Sequence, residues 1–413
     1  MPFASGAFGQ LRYIVESVPG QTPTTGNGVN LRQTGTSMKA SVATIRSQEI
    51  AAHRMSTDQT QSDLDIDGGF NFELSALEYD PFIEGVLDST FTHYGTNGFG
   101  TSFAAVTTAS TITASAAPTG SSAFTTLPQG SWFKLVAPPA ATQAQKDYFA
   151  DRWFKVSSAT APTPTVITLD PSTPISGVGI IGTALAGFSV TASRIQNAAG
   201  LNRHFTLEYA MTDINQFLPF RGMRANALEL SIDVGAIITG SFGFIGRGHD
   251  GMVGATTLPG SPVASKDKDV MNAVADVGLI YENGSSILSG GSSFIKSAKL
   301  NFSNGLRGQK AIGVYGNAGV GTGELEITGS LEIYVEDATY YNKWLKGTVT
   351  NLALGMADAE GNGYLVEMER VKFSDGGLNL GGKSEDAMLS LPFSAFYSAA
   401  TGRGIRVTRA VAA

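Results

Sequence analysis

The sequence predicts a mainly β protein of the α+β kind: two tandem antiparallel β-sandwich or barrel domains, each with a short helix, and a small all-β domain inserted into the first. Three observations predict it. Residues 62–74, SDLDIDGGFNFEL, place Leu64, Ile66, Phe70, Phe72 and Leu74 on one parity and Asp63, Asp65, Asp67, Asn71 and Glu73 on the other, the period-two signature of a half-buried strand with an acidic outer face. The pattern returns in GELEITGSLEIYVE, residues 323–336, where Leu325, Ile327, Leu331, Ile333 and Val335 alternate with Glu324, Glu326, Thr328, Ser330 and Glu332; each apolar residue stands 261 positions after its counterpart, and Gly329 follows Gly68 at the same spacing. The third is composition. Fifty glycines and only 15% charged residues in 413, against about 25% in an ordinary soluble domain, suit short strands, tight turns and surfaces covered by neighbours.

Taken in order, residues 1–36 hold LRYIVES, a strand, and then the polar, turn-rich PGQTPTTGNGVNLRQTGT, which cannot form a core and reads as a mobile tail or, preferably, an arm that orders on a neighbour. A strand near 37–50 ends in IRSQ, Ile45–Gln48, and LRGQ, Leu306–Gln309, matches it 261 residues later. The loop joining the two strands of each hairpin therefore keeps its length. After the acidic strand each copy turns helical. Asp80 is placed to cap and Pro81 to take the first helical position, while Phe82, Ile83, Val86 and Leu87 form one apolar stripe. Tyr340, Tyr341, Trp344 and Leu345 repeat that spacing. The apolar sides of the hairpins, Leu64, Ile66, Phe70 and Phe72 in one copy and Leu325, Ile327 and Leu331 in the other, are expected to pack on these helices through Phe82, Ile83 and Trp344.

Residues 95–200 are rich in Ala, Thr, Ser and Pro, and their pieces SWFKLVA, RWFKVSS, TVITL and FSVTASR read as strands separated by turns. The copies converge again with HFTLEYA (204–210) against YLVEMER (364–370) and ALELSI (227–232) against AMLSLP (387–392), both 160 apart, which sizes the insert at 101 residues. Residues 248–293 form a connector with a short helix expected from Asp269 to Val277. The expected organisation is an arm at 1–36, a first unit at 37–94 and 201–247, an insert at 95–200, the connector at 248–293, and a second unit at 294–413.

The composition excludes several functions. A net charge of −7 argues against a surface that grips nucleic acid or anionic lipid. The absence of cysteine removes thiol catalysis, disulfides and Cys-ligated metals. The first 20 residues lack the basic and apolar regions of a signal peptide, and no run reaches the ~18 apolar residues of a membrane helix. His53, His93, His204 and His249 show no ligand spacing, and no serine stands in a G-x-S-x-G elbow. GLNLGGKS, Gly377–Ser384, fits the phosphate-loop pattern with Lys383 in the lysine position, but the alternating stretch after it, interrupted by Pro392, supplies no helix to hold an anion. Asp63, Asp65 and Asp67 with Gly68 resemble the start of a calcium loop, yet the alternating Leu64 and Ile66 belong to a strand; a weakly held cation is the one metal reading left. No cofactor is called for.

Like charges placed side by side repel, and doing so twice at matching positions suggests a face that meets something it must not hold, such as a polyanion in a channel. The stretches IRSQEI with Arg54, IDGGFNFEL, LEYDPFIEGVL and RHFTLEYAMTDINQFLPFRGMRANALELSIDVGAIITGSFGFIGR, then ITGSLEIYVEDATYYNKWLKG and GNGYLVEMERVKFSDGGLNLGGKSEDAMLSLPFSA, resemble the major tail tube proteins of long-tailed bacteriophages, over about 37–95 and 200–410. The resemblance implies a structural virion protein whose tube domains close into stacked rings that conduct DNA into the host. With two tube units per chain, three chains make a pseudo-hexameric ring, the alternative being a homohexamer. It further implies Asp63, Asp65, Asp67, Glu73, Glu324, Glu326 and Glu332 lining the lumen, the insert projecting outward, and Arg46 and Arg307 near the hairpins bridging to acidic neighbours. The implied partners are tape-measure, tail-tip and terminator proteins and DNA passing without tight binding, with no membrane. Two other readings are a secreted adhesion or carbohydrate-binding protein and a nucleotide-dependent enzyme using Lys383.

Overall fold

The alternation at 62–74 becomes one long antiparallel strand, and most of the chain is organised on either side of it. The computed structural model describes residues 3–50, 52–53, 55–94, 103–108, 110–114, 124–150, 152–176, 188–287 and 294–412. The first unit opens with β1 (Gly9–Glu16), β2 (Val29–Asn30), β3 (Gly35–Thr36), β4 (Lys39–Arg46), β5 (Gln59–Glu73), α1 (Asp80–Leu87) and β6 (Thr92–Tyr94). The insert carries β7 (Phe103–Thr108), β8 (Thr111–Ala114), β9 (Trp132–Val136), α2 (Gln143–Ala150), β10 (Phe154–Lys155), β11 (Val166–Thr168) and β12 (Ser189–Gln196). The chain returns through β13 (His204–Met211), β14 (Gln216–Asp233), β15 (Thr239–Ile245) and β16 (Gly248–His249), followed by β17 (Val277–Glu282) and β18 (Ser285–Ser286). The second unit comprises β19 (Ile295–Ser303), β20 (Arg307–Gln309), β21 (Gly319–Gly321), β22 (Glu326–Tyr334), α3 (Thr339–Leu345), β23 (Thr350–Ala357), β24 (Gly363–Phe373), β25 (Gly377–Asn379), β26 (Met388–Ala395) and β27 (Ile405–Ala410).

The central sheet runs β4–β5–β15–β14–β19–β22–β26, antiparallel throughout. Its key join is between the copies: β14 of the first unit pairs with β19 of the second from Ala227↔Ser303 to Asp233↔Ser297. The recurring glycine has a steric cause. A Cβ on Gly68 would stand 2.3 Å from the Ser37 carbonyl oxygen, and one on Gly329 would stand 2.4 Å from that of Lys299, so a side chain at either position would push the neighbouring strand away.

One apolar core spans both units. Phe70, Phe72, Tyr79, Phe82, Phe205, Phe242 and Phe244 are buried together, with ring centroids 4.2 Å apart for Phe72–Tyr79 and 4.8 Å for Phe82–Phe205. Ile83, Val86 and Leu87 of α1 share a pocket with Phe302, Met356, Tyr364 and Val407 of the second unit, so this helix is wedged into the seam. Asp80 does not cap it. Tyr79 is the N-cap residue and makes no side-chain capping bond; the Asp80 carboxylate accepts a hydrogen bond from Tyr364 Oη at 2.5 Å and pairs with Arg409. A first-turn carboxylate suits the helix dipole, and here it also ties α1 to the second unit.

Pairing partners also fix how the copies correspond. β5 pairs with β15 at Phe70↔Phe242 and β22 with β26 at Leu331↔Leu391, so β26 stands in the place of β15. By the same logic β23 and β24, paired at Leu354↔Val366, replace β13 and β14, paired at Leu207↔Phe220. HFTLEYA therefore corresponds to β23 rather than YLVEMER, and ALELSI does not correspond to AMLSLP. Alternation alone repeats every two residues and cannot choose among strands. In the first strands Thr36 opposes Phe70 where Ala298 opposes Leu331, a shift of 262 rather than 261, and the first loop is one residue longer.

The remaining segments are tied to this frame. Residues 1–36, read as an arm, lie on their own chain, since β1 pairs with β13 along its whole length and buries Leu11 and Tyr13. The helix expected at Asp269–Val277 is absent. Asn272 Oδ1 accepts from the Val274 and Ala275 N–H groups and Asp276 accepts from the Asn272 N–H, closing a turn instead. The insert has its own core around Phe133, Phe149, Phe154 and Phe188 and contains α2, which alternation did not signal. It docks through Trp132, whose Nε1 donates to Glu367 at 2.9 Å, through Arg406, whose guanidinium donates to the Gly130 carbonyl at 3.1 Å, and through β12, which pairs with β6 and β27.

Candidate functional site: the polar face of the two-unit sheet

On β5 the apolar parity faces inward and the acidic parity outward. Leu64, Ile66, Phe70, Phe72, Phe82, Ile83, Ile327 and Leu331 are all buried in the common core, while Leu325, just before β22, and Trp344 of α3 are partly buried against it. The opposite face is polar across both copies. Asn71, Ser241, Glu229, Asn301, Thr328 and Ser394 form one cross-strand row through β5, β15, β14, β19, β22 and β26.

The seven acids are not electrostatically alike. Lys310, in the loop between β20 and β21, reaches back to the first unit: its Nζ lies 2.8 Å from Asp63 Oδ2 and 2.6 Å from Asp65 Oδ1, and donates to the Leu64 carbonyl at 3.0 Å. The Lys310 hydrogen bond holds the Asp63 carboxyl below the usual carboxylate range. Burial pulls the Lys310 amine down, but its bonds to Asp63 and Asp65 outweigh this and raise it. Asp67 pairs with Lys39 at 3.4 Å, both exposed. Glu73 is half-exposed at the end of β5, beside residues of the first 36. Glu324, Glu326 and Glu332 are exposed and, among the described residues, form no ion pair. The acidic face is thus partly neutralised in the first copy, and its three glutamates in the second are unpaired among the described residues.

The sequence reading missed two groups. Glu229 belongs to the exposed parity of ALELSI, so the alternation that revealed Asp63 could have revealed it. Lys310 had no such signal, because its role depends on a loop folding across the unit boundary. Arg46 donates to Gln59 at 3.2 Å and Arg307 lies on β20; neither makes an ion pair among the described residues. Arg54 lies outside the described residues.

The other motifs resolve into structure. Gly377–Asn379 is strand β25; beyond it the chain turns through Gly381 at φ +61°, Gly382 N–H donates to Glu385 at 3.0 Å, and no helix follows. His93 meets Ser193 Oγ at 2.6 Å, and His249 meets the Pro219 carbonyl at 2.7 Å while stacking on Phe220. His204 meets the Asn202 carbonyl at 2.6 Å, with burial lowering its pKa. His53 is exposed in the β4–β5 loop. Among the described residues no cluster of three His, Asp or Glu could hold a metal ion, and no helix is long and apolar enough to cross a membrane.

Fold and face together define a class: a structural β protein whose two similarly built units share one sheet and present a continuous polar surface. Within that class the chain belongs to the phage tail tube protein family, whose model, described as "Phage tail tube protein", matches residues 6–395. No curated protein matches the chain. It is a structural component of a bacteriophage tail, assembled in the host cytoplasm.

Proposed function

We propose that three copies close into a pseudo-hexameric ring, that rings stack into the tail tube, and that the polar face of the central sheet lines a bore through which DNA passes. The observation that carries this reading is the β14–β19 pairing, which joins two tube units side by side within one chain and keeps their polar faces continuous. Full closure leaves no unpaired sheet edge. The bore is lined by Asp63, Asp65, Asp67, Glu73, Glu324, Glu326 and Glu332, with Glu229 added to the set. An acidic wall repels the duplex at every position, so DNA slides without being trapped by local attraction.

In this reading residues 37–94 with 201–247, and 294–413, are the two tube domains, with β1 laid on the first. The 95–200 insert attaches through β12 and β27 rather than through the strands that carry the acids, which favours an outward position. The tube acts without turnover, and its partners are further copies and the tape-measure, tip and terminator proteins. Converting Glu324, Glu326 and Glu332 to lysine tests the wall. Virions with these changes should build tails of normal length, eject DNA more slowly and lose infectivity, most strongly at low ionic strength. Unchanged ejection kinetics would count against the acids as a bore lining.

A further inference from the structure

The seam inside the chain is a template for the contact between chains. At the seam, β14 offers one edge to β15 and the other to β19, with Leu230 opposite Leu300 and Ile232 opposite Ala298. β25 takes this place in the second unit: Leu378 and Asn379 face Leu389 and Met388 of β26 as Leu230 and Ser231 face Gly240 and Thr239 of β15. β3 and β4 take the place of β19 in the first unit, since Thr36 faces Phe70 and Ala40 faces Ile66 as Ala298 faces Leu331 and Phe302 faces Ile327. Among the described residues, the outer edges of β25 and of β3–β4 have no strand beside them.

Burial shows which surface lacks its cover. Leu230 and Ile232 are 8% and 6% exposed, whereas Leu378 and Leu380, at the matching positions, are 45% and 69% exposed. The helices differ in the same way: Ile83 and Leu87 of α1 are 8% and 2% exposed, but Tyr341 and Leu345 of α3 are 37% and 63% exposed. The edge itself, Gly377–Gly381 (GLNLG), carries no charge and no proline, the usual protections of an edge strand that must stay single.

We infer that the edge Gly377–Gly381 of one copy pairs antiparallel with Gly35–Lys39 of a second copy, repeating the internal seam, with Leu378 opposite Met38, Asn379 opposite Ser37 and Leu380 opposite Thr36. α3 of the first copy then packs over this junction as α1 packs over the internal one. The contact is head-to-tail, so each chain keeps one free edge of each kind until a ring closes. This register deepens the tube reading and rests on it.

The absence of native cysteine permits a direct test by oxidative cross-linking. Opposed residues in a sheet lie within disulfide reach, while a one-residue slip turns the side chains to opposite faces. In the assembled full chain, Met38→Cys with Leu378→Cys should give covalent multimers on a non-reducing gel, and Met38→Cys with Asn379→Cys should give at least tenfold less. Leu378→Asp with Leu380→Asp, both on an exposed edge, should keep the circular-dichroism spectrum and abolish assembly. Tubes that form without the 38–378 bond, or that bond as readily through 38–379, overturn the register and leave the tube reading standing. An unmodified chain that stays monomeric and whose 38–378 variant gives no bond overturns both.

Discussion

At the residue scale the informative group is Lys310, because it joins the two copies and modulates the acidic strand at once. Asp63 has a depressed pKa in the folded chain, so its contact stabilises the fold above the unfolded carboxylate value near pH ~4 and is lost as pH falls through the lower folded value. Lys310 is raised, so the contact is complete below the ordinary lysine range and lost as pH rises through the folded value. Lys310→Ala should therefore lower the melting temperature slightly at neutral pH and flatten its decline on the acid side, seen in thermal melts between pH 3 and 7. An identical acid limb in the variant would show that the pair does not couple to folding. The acids and their apolar partners were legible as period-two alternation, but the cation was not, since Lys310 and Asp63 are brought together only by tertiary structure.

At the element scale the two helices have matching stripes and different surroundings. α1 is sunk into the seam between the copies, while α3 leaves Tyr341 and Leu345 exposed. Phe82→Ala should cost about 3–5 kcal/mol by opening a cavity in the shared aromatic core, measured by denaturant unfolding. Leu345→Ala should change the stability of the isolated chain by no more than about 0.5 kcal/mol and yet weaken assembly. Equal stability losses would contradict the different burial. The stripes were readable because both keep a helical period, with a proline at the start of α1, but exposure of one stripe depends on the neighbour it lacks. Elsewhere local chemistry overrode the pattern: Asn272 and Asp276 take the N–H groups that a helix from Asp269 would have used. The equating of HFTLEYA with YLVEMER failed because neighbouring antiparallel strands share one alternation, and only pairing partners tell them apart.

At the scale of the whole molecule, the repeat does what oligomerisation does in a single-unit protein: it places two hairpin-and-helix units in one sheet with a built-in register. The duplication was legible from residues 64 and 325 onward, and with it the acidic face. The seam was not, because β14 and β19 lie far apart in sequence and their pairing leaves no local mark. In the proposed assembly each chain supplies two tube units to a ring of three. Cryo-electron microscopy of assembled tubes tests it most directly, supported by the mass of isolated rings against 43.1 kDa per chain. The expected result is threefold rings of three chains with pseudo-sixfold walls and the carboxylates of Glu324, Glu326 and Glu332 facing the bore; six chains per ring, or those carboxylates on the outer surface, would rule this assembly out.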